Sequence, residues 1–184
     1  NGGFWSTDGT AGGTQAVTKA GVPVEAGVAT VLAIGDTGYS CGWAGLWRTD
    51  VTDAGTFQVS PSGYRCGWVV RAGDLFFFQL SGAGGASSLW RSDGTAGNAT
   101  LVRGLDFVPG LAVALGNRIL FIGWSPAEGI EPWVSDGTSE GTHVLKDVGP
   151  GPAQGIGAAF VVVGTSAYFL GGAALDELWQ TDGT

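Results

Sequence analysis

Leu89-Trp90-Arg91-Ser92-Asp93-Gly94-Thr95 recurs, with small changes, at four other places in the chain. The other copies are Phe4-Trp5-Ser6-Thr7-Asp8-Gly9-Thr10, Leu46-Trp47-Arg48-Thr49-Asp50-Val51-Thr52, Pro132-Trp133-Val134-Ser135-Asp136-Gly137-Thr138 and Leu178-Trp179-Gln180-Thr181-Asp182-Gly183-Thr184. Their tryptophans lie 42, 43, 43 and 46 residues apart, and five of the chain's eight tryptophans occupy this one slot. An internal period of this length decides the architecture before any single element does.

The copies read as β-hairpins. An apolar run holding Trp enters an Asp-Gly turn, where Gly takes positive φ and the Asp carboxylate accepts loop N–H groups. The first, second and fourth copies then continue through Gly13-Thr14, Gly55-Thr56 and Gly141-Thr142, while the third is one residue longer, through Gly97, Asn98, Ala99 and Thr100. A short apolar stretch follows each, such as Phe57 to Val59 or Val144-Leu145.

Two more strands lie between successive hairpins. Leu111-Ala112-Val113-Ala114-Leu115 leads through Gly116-Asn117 into Ile119-Leu120-Phe121-Ile122. The pattern recurs around Gly35-Asp36, Gly73-Asp74 and Gly164-Thr165, again with hairpin turn residues. The unit is therefore four short antiparallel strands, A to D, with Trp on C and Asp-Gly between C and D.

Four strands in about 43 residues is the period of propeller blades. The fold class expected is all-β, a β-propeller-like array with about 17 short strands, four to a blade. The 184 residues divide into a C–D hairpin (1–25), blades at 26–62, 63–106 and 107–150, and a partial blade (151–184). Trp5, Trp47, Trp90, Trp133 and Trp179 are expected to pack between stacked blades. Asp8, Asp50, Asp93, Asp136 and Asp182 are expected to build the turns.

Composition agrees. Charged residues are 13% of the chain, about half the usual share, and Gly, at 35 copies, is the commonest residue. The net charge of −8 provides no cationic face for nucleic acid or anionic membranes. The most apolar stretch, Gly155 to Gly172, is broken by Gly157, Gly164, Thr165 and Ser166 and reads as two strands, not a membrane helix. The chain has no Met and reads as a mature product or a piece of a longer one.

Glu177-Leu178-Trp179-Gln180-Thr181-Asp182-Gly183-Thr184 resembles the signature of the bacterial ELWxxDGT repeat, and Gly141-Thr142-His143-Val144-Leu145-Lys146-Asp147-Val148 resembles its second half. The resemblance covers essentially the whole chain as degenerate copies. Only the last copy carries the full Glu-Leu-Trp, and the second has Val51 where the turn glycine belongs. The family implies a propeller-like extracellular or cell-surface repeat protein and no established reaction.

The functional expectation is a non-enzymatic extracellular structural or adhesive repeat module. The alternative is a lectin-like glycan-binding propeller, and a hydrolase using loop carboxylates comes third. The off-register Trp43, Trp68 and Trp124 are the candidate ligand-stacking residues, and the test between readings is whether one lies exposed beside a polar pocket. Cys41 and Cys66 sit in echoing contexts, Tyr39-Ser40-Cys41-Gly42-Trp43 and Tyr64-Arg65-Cys66-Gly67-Trp68, and are expected to form a disulfide from a B strand to the next blade's A strand.

No cofactor is expected. Calcium at the acidic turns, with Asp53 and Glu140 nearby, is the alternative weighed, but most turns offer one Asp and hydroxyls where calcium takes six to eight oxygens. No metal site is expected, since two cysteines and His143, the only histidine, do not make one for zinc. His143 lacks a recognisable nucleophilic partner. Glu128, Glu131, Asp176 and Glu177 are expected to be solvated loop carboxylates. Asn98-Ala99-Thr100 matches a glycosylation sequon and is read as accidental. Because the chain begins and ends on a C strand, it is not expected to close as a ring. The expected partners are further copies or repeats of itself, in a ring or filament, and extracellular glycans.

Overall fold

The computed structural model describes residues 3–24, 27–106, 110, 112–157 and 159–184. Regular structure among them is β throughout, apart from a 3-10 turn at Ala83–Gly85. The first copy of the repeat forms a hairpin of β1 (Trp5–Ser6) and β2 (Gln15–Ala16). A second hairpin, β3 (Thr18–Lys19) and β4 (Val22–Pro23), follows directly. Three four-stranded antiparallel sheets come next. The first holds β5 (Val28–Ile34), β6 (Thr37–Gly42), β7 (Gly45–Thr49) and β8 (Phe57–Gln58). The second holds β9 (Arg65–Ala72), β10 (Leu75–Ser81), β11 (Ser87–Ser92) and β12 (Thr100–Leu105). The third holds β13 (Val113–Leu115), β14 (Arg118–Ser125), β15 (Gly129–Ser135) and β16 (His143–Val144). The last sheet has three strands, β17 (Val161–Val163), β18 (Ser166–Gly171) and β19 (Glu177–Thr181).

Strand order in every sheet is chain order, as short turns between neighbours require. The nineteen strands among the described residues exceed the expected count by the β3–β4 hairpin, whose turn residues Ala20 and Gly21 both have positive φ. Nothing in the repeat marked this hairpin. The expected boundaries at 25/26 and 106/107, and Leu111 of the third A strand, involve positions outside the described residues.

Side-chain alternation on the second strand of each sheet divides its contacts between two neighbours. Phe76 and Phe78 pack into a cluster with Tyr39, Cys41 and Leu46 of the first sheet. Phe77, between them, packs with Ile119, Phe121 and Trp133 of the third. One repeat later, Leu120 packs with Ala167 and Phe169 of the last sheet and with Phe160, just before it. The cores therefore lie between the sheets, the three four-stranded sheets each contributing both faces.

The repeated tryptophan faces the preceding sheet, and the residue before it faces the following one. Trp90 packs against the cluster shared with the first sheet and Trp133 lies in the one shared with the second, while Leu46 and Leu89 sit in the clusters shared with their successors. Trp179 and Trp47 follow the same rule, the latter against Phe4, Val17 and Val24 of the first hairpins. Trp5 departs from it. No sheet precedes it among the described residues, and it is 61% exposed where Trp133 is 6% exposed. Its expected core role is corrected: the slot is buried only when a neighbouring sheet receives it.

Candidate functional site

The C–D turn is the most regular local structure in the chain. In all five copies the hydroxyl before Asp accepts the N–H of the residue after it, as in Gly9 to Thr7 (3.0 Å), Val51 to Thr49 (2.9 Å) and Gly137 to Ser135 (3.1 Å). In all five, Asp Oδ1 accepts both the N–H and the hydroxyl of the Thr two residues on. For Asp136 these bonds are 2.8 and 2.7 Å, and for Asp182 3.0 and 2.6 Å. The Thr hydroxyl in turn accepts the N–H of Gly13, Gly55 or Gly141, each at 2.9 Å. A second Thr closes the loop by bonding the first hydroxyl, as in Ser135–Thr142 and Thr49–Thr56, both 2.7 Å.

This network explains the motif residue by residue. The glycine five positions after Asp is required because a Cβ on Gly13, Gly55 or Gly141 would lie about 2 Å from the Asp carboxylate. The longer third copy has Asn98 at that position. Its Nδ2 donates to Asp93 Oδ2 at 2.6 Å, so the sequon asparagine is part of the turn. The carboxyls of Asp8, Asp50, Asp93, Asp136 and Asp182 are held below the usual 3.8 by the Thr hydroxyl first and its N–H second. A calcium ion at such a turn would compete with both donors for Oδ1. No cluster of three or more His, Cys, Asp or Glu suited to a metal occurs among the described residues.

The expected pairing of Cys41 with Cys66 is present, joining β6 to β9 across a separation of 25 residues. Beside it lies a cavity of about 350 Å³, with Trp43, Arg65, Gly67, Gln79 and Ser81 in its wall. Trp43 sits in the β6–β7 turn and is 65% exposed. The Arg65 guanidinium lies over its ring, 3.8 Å from the centroid. Gln79 is buried, and its Nε2 donates to Ser81 Oγ at 2.7 Å and Ser87 Oγ at 2.9 Å. The β9–β10 register shifts there: Gln79 faces Trp68 and Leu80 faces Cys66, leaving Gly67 unpaired. Such a bulge re-aims side chains, and here it brings the Gln79 carboxamide onto Gly67, where a Cβ would meet Oε1 at 2.1 Å.

The three candidate stacking tryptophans thus separate. Trp43 is exposed beside a mostly apolar cavity whose polar groups are those of Arg65, Gln79 and Ser81. Trp124 is half-buried on β14, opposite Ile130, and lines none of the cavities described here. Trp68 is 4% exposed, within the cluster between the second and third sheets, so its expected ligand role is corrected. Strand alternation turns it inward: the Gly67 bulge separates its facing from that of Cys66.

The loop carboxylates also separate. Asp176 and Glu177 are exposed, and Glu128 bonds Ser125. Glu131 is fully buried, which corrects its expected solvation. Its Oε2 accepts Val148 N–H at 3.0 Å and Oε1 accepts Gly149 N–H at 3.1 Å. Burial raises its pKa above 4.5 despite these bonds. Glu131 therefore pins the connection from the third sheet to the fourth. Its position two residues before the repeated Trp is the only signal in the sequence, and the loop it holds lies 17 residues away. His143 is exposed on β16. Asp53 accepts from the Ala20 N–H and pairs with Lys19 at 3.8 Å, tying the β3–β4 hairpin to the first acidic turn of a complete sheet.

The chain matches no model of a known protein family, and no curated protein matches it.

Proposed function

We propose that this chain is a non-enzymatic structural or adhesive module of the extracellular space, a propeller-like stack whose outer faces take further repeats, of the same chain or of other copies. The observation that carries the reading is the exposure of Leu178. Its equivalents Leu46 and Leu89 are 0% exposed beneath the following sheet, whereas Leu178 is 73% exposed. The same face of the last sheet presents Val161, Val163 and Leu170 to solvent. At the other end stands Trp5, the residue type that fills this kind of face at the internal junctions. The two faces are complementary halves of one repeated interface, so each suits a further repeat, whether of the same chain or of another copy in a ring or a filament. Burying a leucine fully contributes about 2 kcal/mol, so the exposed face is a substantial driving force.

The propeller-like arrangement is supported by the approach of first strands, β5 to β9, β9 to β13 and β13 to β17. First strands gathered together, with later strands fanning outward, is blade geometry. The disulfide favours an oxidising compartment. No helix among the described residues is long and apolar enough to cross a membrane. Membership of the ELWxxDGT family fits the turn network, and a structural role fits carboxylates committed to turns.

Sedimentation velocity over a hundredfold concentration range tests the reading. Mass should rise with concentration, and Leu178→Asp or Trp5→Asp should each return the protein to a monomer. A monomeric wild type at every concentration would overturn it, as would association indifferent to both substitutions.

A further inference from the structure

We propose that the cavity at Trp43, Arg65 and Gln79 binds a carboxylate-bearing saccharide, a function beyond the structural one and independent of it. Arg65 is presented for an anion. The Trp43 ring lies under its guanidinium, and Trp43 is itself backed by Gly27, where a Cβ would meet Cδ1 at 2.9 Å. A guanidinium laid flat on an aromatic ring keeps its edge donors free and oriented, which suits bidentate pairing with a carboxylate. Among the described residues no carboxylate oxygen lies within 4 Å of Arg65; the ion pairs there involve Lys19, Arg48 and Arg71.

The remaining wall suits the body of a sugar. Gln79 Nε2 is engaged by two serines, which leaves Oε1, held over the bulge glycine, to accept from a hydroxyl. Ser81 accepts from Gln79 and has its own hydrogen to donate. Cys66, Gly42 and Gly67 complete a wall that is mostly apolar and suits C–H faces. The disulfide also ties both strands of the site together, so little ordering is lost on binding. A volume of about 350 Å³ falls in the range of small-ligand pockets. A second cavity of about 450 Å³ shares Arg65 and Ser81 and continues along the glycine-rich loop Gly82–Gly85, giving a longer chain a path past the first ring. A neutral sugar would take only ordinary hydrogen bonds from the guanidinium, without the charge and the two-pronged geometry of a carboxylate, so the site discriminates for charge.

Isothermal titration with trigalacturonate, and with the neutral galactose trisaccharide as comparison, tests the assignment. Trigalacturonate should bind saturably and the neutral trisaccharide should not. Arg65→Met keeps an aliphatic stem over Trp43, and it should weaken binding about tenfold or more. Arg65→Lys should weaken it less, since an ammonium keeps the charge but not the planar fork. Arg65 is exposed, so both variants should retain the wild-type circular dichroism and the intact disulfide, which a folding failure would not. Absence of saturable trigalacturonate binding would overturn the proposal. Equal binding by Arg65→Met, or equal binding of the neutral trisaccharide, would overturn it too.

Discussion

Gly141→Ala places a methyl group where the structure has none to spare. The new Cβ would lie 2.1 Å from Asp136 Oδ1 and 2.2 Å from its carboxyl carbon, so either the carboxylate or the backbone must move. Moving the carboxylate breaks the bonds from Thr138 N–H (2.8 Å) and Thr138 Oγ1 (2.7 Å). Hydrogen bonds to a charged group contribute about 1.5–3 kcal/mol each, with the low end appropriate for an exposed turn. Losing both therefore costs about 3 kcal/mol, offset by about 0.5 kcal/mol from the less flexible unfolded chain. A net loss of about 2.5 kcal/mol lowers the melting temperature by roughly 5–10 °C in a domain of this size. Gly104→Ala is the control, since a Cβ there meets nothing within 4 Å, and it should leave stability unchanged or slightly raised. The double-mutant cycle with Asp136→Ala isolates the cause, because without the carboxylate the alanine at 141 should be nearly neutral. The assay is reversible thermal and urea unfolding followed by near-ultraviolet circular dichroism. A Gly141→Ala protein as stable as wild type would refute the steric reading of the motif, and so would an equal loss in the Asp136→Ala background.

Val51 has φ of 70° where the other copies hold glycine at 85–90°, so Val51→Gly should raise the urea midpoint by the equivalent of about 0.5–1 kcal/mol, the left-handed cost less the freedom returned to the unfolded chain. Replacing both Cys41 and Cys66 by Ala should lower stability by about 3 kcal/mol in the chain-entropy model, read from the shift in thermal midpoint. The turn aspartates have folded pKa values below 3.8, so their contribution is intact above that pH and is lost as pH falls through the folded values; the melting temperature should drop steeply below about pH 4. Glu131 acts in the opposite sense: its raised folded pKa means a contribution present below 4.5 and lost as pH rises through the folded value. Glu131→Gln should flatten that part of the profile, since the neutral amide does not titrate and keeps one oxygen to accept from Val148 or Gly149 N–H.

The sheets were legible because their cause is local and repeated. A hairpin needs Asp-Gly-Thr at fixed offsets, so five copies announce five C–D turns, and the alternation of residues such as Phe76, Phe77 and Phe78 follows from strand geometry. The β3–β4 hairpin escaped notice because it occurs once, and its turn uses Ala20 rather than a paired turn signal. The disulfide was legible from two matching contexts, although nothing in either said that a pocket would open beside it. That pocket depends on the Gly67 bulge, a one-residue register shift in a pairing with a strand eleven residues further on.

Glu131 and Glu177 show the limit most sharply. Both stand two residues before a repeated tryptophan, and by composition alone they are the same residue. Glu131 is buried because the connection to a following sheet folds back and offers it two N–H groups, while Glu177 is exposed on the last described sheet. The leucines differ in the same way, Leu89 buried and Leu178 exposed. In a stacked array the burial of a residue is set by the neighbouring repeat, not by its own. A carboxylate at this slot is therefore stabilising only where a loop from the next repeat reaches it. At the Glu131 junction the backbone bonds and the apolar contact are thus coupled, so a further repeat that covers Leu178, of the same chain or of another copy, must also meet Glu177 with N–H groups or water.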